Sequence, residues 1–180
     1  MPVAHYRMER AFASRLKSEV MASTTLRLDV SYGQIAVFSS SLPDPFNDWT
    51  KEHVAQGFAW RPGSVSFRTL TGSSTHLVEV DVREHVRPLG DDVVRSIDVP
   101  FEVPTDGRIE VASISDAAPL TLPAGICRLR CEFLGLDTHG NQRVRLTFAK
   151  DDAPCFALVR ADTALAARKE LITTAQPAIS

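Results

Sequence analysis

The stretch Leu77–Arg83, "LVEVDVR", decides the fold class. Val78, Val80 and Val82 alternate with Glu79, Asp81 and Arg83, which is the period-two pattern of a strand with one apolar and one polar face. The pattern recurs in both directions. Upstream, "SVSF" sets Val65 and Phe67 inward and "QIAVF" lies beyond Gly33. "TLRLDV" puts Leu26, Leu28 and Val30 on one face and Arg27 and Asp29 on the other. Downstream, "SIDVPFEV" alternates Ile97, Val99, Phe101 and Val103, while Pro100 cannot donate to a ladder and marks an edge or bulge. "GRIEVASI" follows the turn "TDG", "LTLPAGICRLRCEF" follows "DAAP", "RVRLTF" follows "THGN", and "CFALV" closes the series. Seven to nine short, mostly antiparallel strands predict an all-β sandwich, with a barrel as the alternative.

With 180 residues, 44% of them hydrophobic, and no internal repeat, the chain suits one globular domain with its own core. Lys and Arg total 20 against 22 Asp and Glu, a formal charge of −2. A dedicated nucleic-acid binder usually carries a basic excess, so no direct nucleic-acid contact is expected. No apolar run reaches membrane-spanning length, and none near the start suits a signal-peptide core, so a cytoplasmic location is expected. The three cysteines agree with it, because an odd count makes a poor disulfide framework. In a strand, Cys127 and Cys131 lie roughly 13 Å apart, beyond bridging range. Cys155 could reach one of them in the fold; three free thiols are expected.

The ends read differently. Met8, Phe12, Leu16 and Val20 recur every four residues and predict a helix over 5–20. "DTALAARKELI" predicts a second short helix, capped by Asp162 and followed by Pro177. The expected organisation is a helical extension over 1–22, a β-sandwich domain over 23–160, and a short helix and tail over 161–180.

Candidates for chemistry are few. The five histidines (His5, His53, His76, His85 and His139) lack the spacing of a zinc site and read as scattered surface residues. Cys127 and Cys131 share a strand face with Leu129 and Phe133 and read as core. Arg128, Arg130, Arg143 and Arg145 could form a basic ladder; a solvated strand face interleaved with acids is the expected reading. No nucleophile elbow or phosphate-cradling loop appears, and "RPGSVS" is turn chemistry. No catalytic residue, metal ligand or cofactor is assigned.

The stretch Asn47–Trp60, "NDWTKEHVAQGFAW", interrupts the strands and holds both tryptophans. Asp48 or Thr50 can cap a short helix that Gly57 closes. At about 100° per residue, Val54, Ala55 and Phe58 fall on one side, the expected packed side. Trp49, Glu52, His53 and Gln56 fall on the other. An aromatic ring among polar groups, with Asp44 and Asp48 nearby, has the composition of a protein-contact surface. Asp44, Asp48, Trp49, Glu52 and His53 are therefore the candidate partner-binding residues. Packing of Trp49 back onto the sandwich edge is the alternative. A ligand-binding module using Trp49 and Trp60 as a platform for a sugar is also open. So is a catalytic grouping of Asp48, Glu52 and His53.

"SYGQIAVF", "DWTKEHVAQGFAWRPGSVSF", "IDVPFEVPTDGRIEVASI" and "LTLPAGICRLRCEF", in that order, resemble the competence protein J (ComJ) family. The resemblance runs from about Leu26 to Phe133 and fades toward residue 160. It implies a small protein without enzymatic activity that binds and inhibits a NucA-type DNA-entry deoxyribonuclease, a metal-dependent enzyme of DNA uptake. A related nuclease toxin is a second partner class, with the chain as an immunity protein. Asp48, Trp49, Gly57 and Phe67 fit the family pattern, which assigns none of them an inhibitory role.

Overall fold

The computed structural model describes residues 20–166 and 170–179. The helix anticipated over residues 5–20 falls almost wholly outside them. The described chain runs β1 (Val20–Val30), β2 (Gln34–Ser39), α1 (Lys51–Gln56), β3 (Phe58–Arg61), β4 (Ser64–Arg68), β5 (Ser74–Arg83) and β6 (Val93–Val103). It continues through β7 (Arg108–Ala112), β8 (Ala117–Thr121), β9 (Gly125–Leu134), β10 (Gln142–Lys150) and β11 (Ala157–Arg160).

Two sheets pack face to face. One has the order β1-β5-β10-β9-β6-β11 and the other β3-β4-β2-β7-β8. The all-β sandwich is as expected, and β5–β10 is a parallel pair among antiparallel ones. The core is what alternation dictates. Val78 and Val80 of β5 meet Leu28, Val99, Leu129, Cys131 and Leu146 from the same sheet and Ile35, Val65, Phe67 and Val111 from the other. Burying each such side chain contributes about 1.5–3 kcal/mol.

Eleven strands exceed the expected count for two reasons. "FAWR" forms β3 directly after the helix. "LTLPAGICRLRCEF" is divided at Leu122–Ala124, where the chain leaves one sheet for the other; β8 lies upstream and β9 downstream. Pro100 lies on the part of β6 that β11 does not reach, since β11 pairs only with Ser96–Asp98. The Pro100 carbonyl accepts the Trp60 indole N–H at 2.7 Å on that open side. The missing proline N–H thus removes no ladder bond.

All three cysteines are free, Cys127 and Cys131 buried and Cys155 exposed. Burial pushes the Cys127 thiol up to about 12 and the Cys131 thiol well above its ordinary value, which makes both inert packing groups. Two histidines are not on the surface. His53 is 2% exposed, and His76 is fully buried, its pKa lowered by that burial.

The arginine face is not solvated either. Asp81, Arg83, Asp98, Arg130 and Glu132 are all buried on the outer side of the six-stranded sheet. Asp98 takes Arg130 Nε at 2.7 Å and a second guanidinium N–H at 2.9 Å. Arg145 bridges Glu79 at 3.1 Å and Glu132 at 3.5 Å. The segment after β5 supplies the cover: Arg87 pairs with Asp81, and its carbonyl accepts from Arg130 at 3.0 Å.

The described C-terminal residues hold no helix. Asp162, the expected cap, forms a two-pronged ion pair with the buried Arg95, its Oδ2 2.9 Å from the guanidinium. Residues 170–178 run as an extended strap, bridged to the body at Asn47 and Pro177.

Candidate functional site

Helix α1 forms where its caps dictate. Thr50 is the N-cap, its hydroxyl accepting from the His53 amide at 3.3 Å, while His53 Nδ1 accepts from the Thr50 amide at 3.1 Å. This is a reciprocal capping box with histidine in the usual Glu/Gln place. Gly57 ends the helix at φ 87°, in the left-handed region. A Cβ there would also lie 2.9 Å from a Leu165 methyl group.

The expected faces hold for Phe58, which is buried, and Glu52, which is exposed, but are reversed at three positions. His53 and Gln56 are buried, and Val54 is 40% exposed. The strap supplies the reason. His53 Nε2 donates to the Thr174 carbonyl at 3.0 Å, so the ring carries its proton on Nε2 and accepts through Nδ1. Gln56 donates to the carbonyls of Phe58 at 3.0 Å and Ile172 at 2.8 Å, and its own oxygen accepts the Ile172 amide at 2.8 Å. Two polar side chains can face inward because their hydrogen bonds are satisfied there.

The five candidate residues separate into three places. Asp48 and Glu52 are exposed and, with His53 beneath them, line a depression of about 250 Å³ against Ile172, Thr174 and Gln176. Trp49 turns the other way into a groove of about 440 Å³, lined also by Tyr32, Gln34, Val54, Arg68 and Leu70. Asp44 stands apart at the end of β3, where its carbonyl accepts from Arg61. The three residues of the catalytic grouping line one depression, but both His53 nitrogens are engaged structurally, Nδ1 with Thr50 and Nε2 with Thr174. Among the described residues, no group of three His, Cys, Asp or Glu side chains is placed to hold a metal ion.

Trp49 and Trp60 share no platform. Trp60 is a latch between the sheets, bonded to Pro100 and edge-on to Phe156 at 5.1 Å. Trp49 is half-buried, its indole N–H donating to Gln34 Oε1 at 3.2 Å, and its ring forms a groove wall. Edge packing and surface presentation thus hold together for Trp49.

Three groove residues, Tyr32, Arg68 and Val54, are not among the candidates named from the sequence. Tyr32 is 83% exposed at φ 56°, a left-handed conformation costly for a bulky side chain. Arg68, at the end of β4, donates to the carbonyls of Val54 and Ala164 at 3.3 and 3.1 Å. Val54 had been placed on the packed side. The "SYG" turn was the available clue, since an aromatic residue just before Gly33 occupies a position that favours glycine or asparagine. Tyrosine, tryptophan and arginine around one groove are the residue types that dominate protein-contact hot spots.

No helix among the described residues is long and apolar enough to cross a membrane. A DNA-entry nuclease inhibitor of Bacillus subtilis (strain 168) is 30% identical over 105 residues, 58% of this chain and 76% of the inhibitor. The fold resembles the crystal structure of ComJ, inhibitor of the DNA-degrading activity of NucA, from Bacillus subtilis. That likeness has a TM-score of 0.64 and 21% identity, and spans 73% of this chain and 98% of that one. A solved chain described as crocagin biosynthetic gene J matches with a TM-score of 0.49 and 16% identity, over 71% of this chain and 98% of that one. The family Competence protein J (ComJ) matches residues 27–149, more than half of the chain, from within β1 to the penultimate residue of β10. On that match, the chain belongs to the competence protein J (ComJ) family.

Proposed function

We propose that this chain is a protein inhibitor of a NucA-type DNA-entry deoxyribonuclease or of a related nuclease toxin, acting by binding rather than by catalysis. The observation that carries the reading is family membership over residues 27–149, most of the β-sandwich, with a relative named as such an inhibitor. The three free cysteines support a reducing, cytoplasmic setting.

The groove beside α1 is the surface we assign to the nuclease. A nuclease presents a basic cleft to phosphate, so an inhibitor gains from carboxylates placed around an aromatic anchor. Trp49 is that anchor, with Tyr32 and Arg68 completing the groove. Asp48 and Glu52 form an acidic rim on the adjoining depression. Asp44 extends the rim beyond β3, and His53 holds the helix that carries it. Such interfaces bury about 1,600 Å² in total and rely on a few anchors.

The test is inhibition of a purified NucA-type nuclease by the wild type, Trp49→Ala and Asp48→Asn/Glu52→Gln, each checked for its fold by circular dichroism. Weaker inhibition by both variants, with the double variant losing its salt dependence, supports the assignment. Wild-type inhibition by both moves the interface elsewhere. No inhibition by the wild type of either a NucA-type enzyme or a related toxin overturns the function.

A further inference from the structure

We propose that two copies of this chain pair through β1, antiparallel about a two-fold axis at Thr25, joining their six-stranded sheets into one. The inference is independent of the inhibitor reading and rests on a comparison of the four sheet edges.

Exposed edges invite pairing with other chains, and proteins blunt them by shortness, proline, bulges or covering groups. Three edges here are blunted. β3 has four residues and gives its edge-facing Phe58 carbonyl to Gln56. β8 has five residues and contains Pro119. β11 has four residues and a register shift between Leu158 and Arg160. The fourth edge, β1, has eleven residues, and Val20–Leu26 contains neither charge nor proline.

The far end of β1 is closed. Asp29 turns its backbone toward the edge, where its amide donates to Asp116 at 3.0 Å and its carbonyl accepts from Ser113 and Ser115 at 2.6 and 3.2 Å. Backbone direction alternates along a strand, so Arg27, Thr25 and Ser23 present their amides and carbonyls to that same side. The near end is closed by the register shift between Val20 and Ala22. Among the described residues the open window is therefore Ser23–Arg27, and its centre is Thr25.

A window with a centre suits a copy of itself. Antiparallel pairing about Thr25 sets Thr25 against Thr25 of the second copy and Ser23 against its Arg27, in both directions. Each pair is of the hydrogen-bonded kind, giving six backbone bonds. Threonine pairs are favourable on a sheet face, and neither arginine meets its own kind. On the inner face, the half-buried Leu26 lies against Thr24 of the second copy and extends the core. A two-fold axis at Arg27 would instead set the two arginines against each other.

The paired window Ser23–Arg27 contains none of the residues that line the Trp49 groove. Tyr32, the groove residue nearest in sequence, lies about 17 Å along the extended chain from Arg27. A dimer would carry two grooves.

The test is analytical ultracentrifugation of the full chain across a broad micromolar range. The mass should rise from 19.8 kDa toward twice that value. Thr25→Lys sets two like charges across the axis and should raise the dimer dissociation constant at least about tenfold. Register is read by oxidative cross-linking in a Cys155→Ser background. Thr25→Cys should cross-link, because Cα atoms of a hydrogen-bonded pair lie about 5.5 Å apart, within disulfide range. Ser23→Cys should not, since its counterpart lies about 13 Å along the second copy's strand. A monomer at every concentration, a dimer indifferent to Thr25→Lys, or equal cross-linking at the two positions would overturn the proposal.

Discussion

The outer face of the six-stranded sheet and the groove beside α1 are both built from polar and charged residues, and they answer opposite problems. On the sheet face, Asp81, Asp98 and Glu132 are buried beside Arg83, Arg130 and Arg145, and the segment carrying Arg87 lies over them. That face is closed on itself. At the groove, Tyr32 and Val54 are exposed, Trp49 is half-covered, and Asp48 and Glu52 stand in solvent. Charge density alone does not mark a binding surface. What distinguishes the proposed surface is charged and aromatic area that remains exposed to solvent.

The hardest way to break this contrast is Asp98→Ala. It removes the two-pronged partner of the buried Arg130 guanidinium, and unfolding by urea should show a loss of about 3–5 kcal/mol. Nuclease inhibition per folded molecule should not change. Trp49→Ala should do the reverse. Affinity for the nuclease, measured by titration calorimetry, should fall by about 2 kcal/mol or more, roughly thirtyfold, with little change in the denaturation midpoint.

Trp60→Phe sharpens the comparison within one stretch. It removes the bond to Pro100 and keeps most of the packing on Phe156, so stability should fall by about 1 kcal/mol while inhibition stays intact. The smallest effect belongs to Glu132→Gln. Burial raises the Glu132 pKa above its ordinary 4.5, even though Arg145 and Arg130 draw it down. The folded state therefore holds that proton more tightly than the unfolded state does. Its contribution to stability is present below pH 4.5 and is lost as pH rises through the higher folded value. Glu132→Gln should flatten that decline, so wild type minus variant stability should fall with rising pH in this window. A constant difference would show that the group is not perturbed.

The sandwich was legible because alternation is local: "LVEVDVR" reveals its two faces without reference to any other part of the chain. The orientation of α1 was not. Val54 and Ala55 looked like the packed side by hydropathy, yet His53 and Gln56 face inward because Thr174 and Ile172, more than a hundred residues later, offer backbone partners. The same limit hid the closed charge face. The alternation showed which residues point outward, but not that the segment after β5 would lie over them. For the site, composition led to Trp49, Asp48 and Glu52. Tyr32 and Arg68 join them only because the β1–β2 crossing and the end of β4 meet beside the helix.

The helix that follows Trp49 is gripped by Ile172 and Thr174, the Gln176 carbonyl accepts the Asp48 amide, and the family match ends at residue 149. The clamp that sets the helix therefore lies outside the matched residues. A substitution that shifts Ile172 or Thr174 would move the helix, and with it the proposed nuclease-facing surface, without touching the matched part of the core.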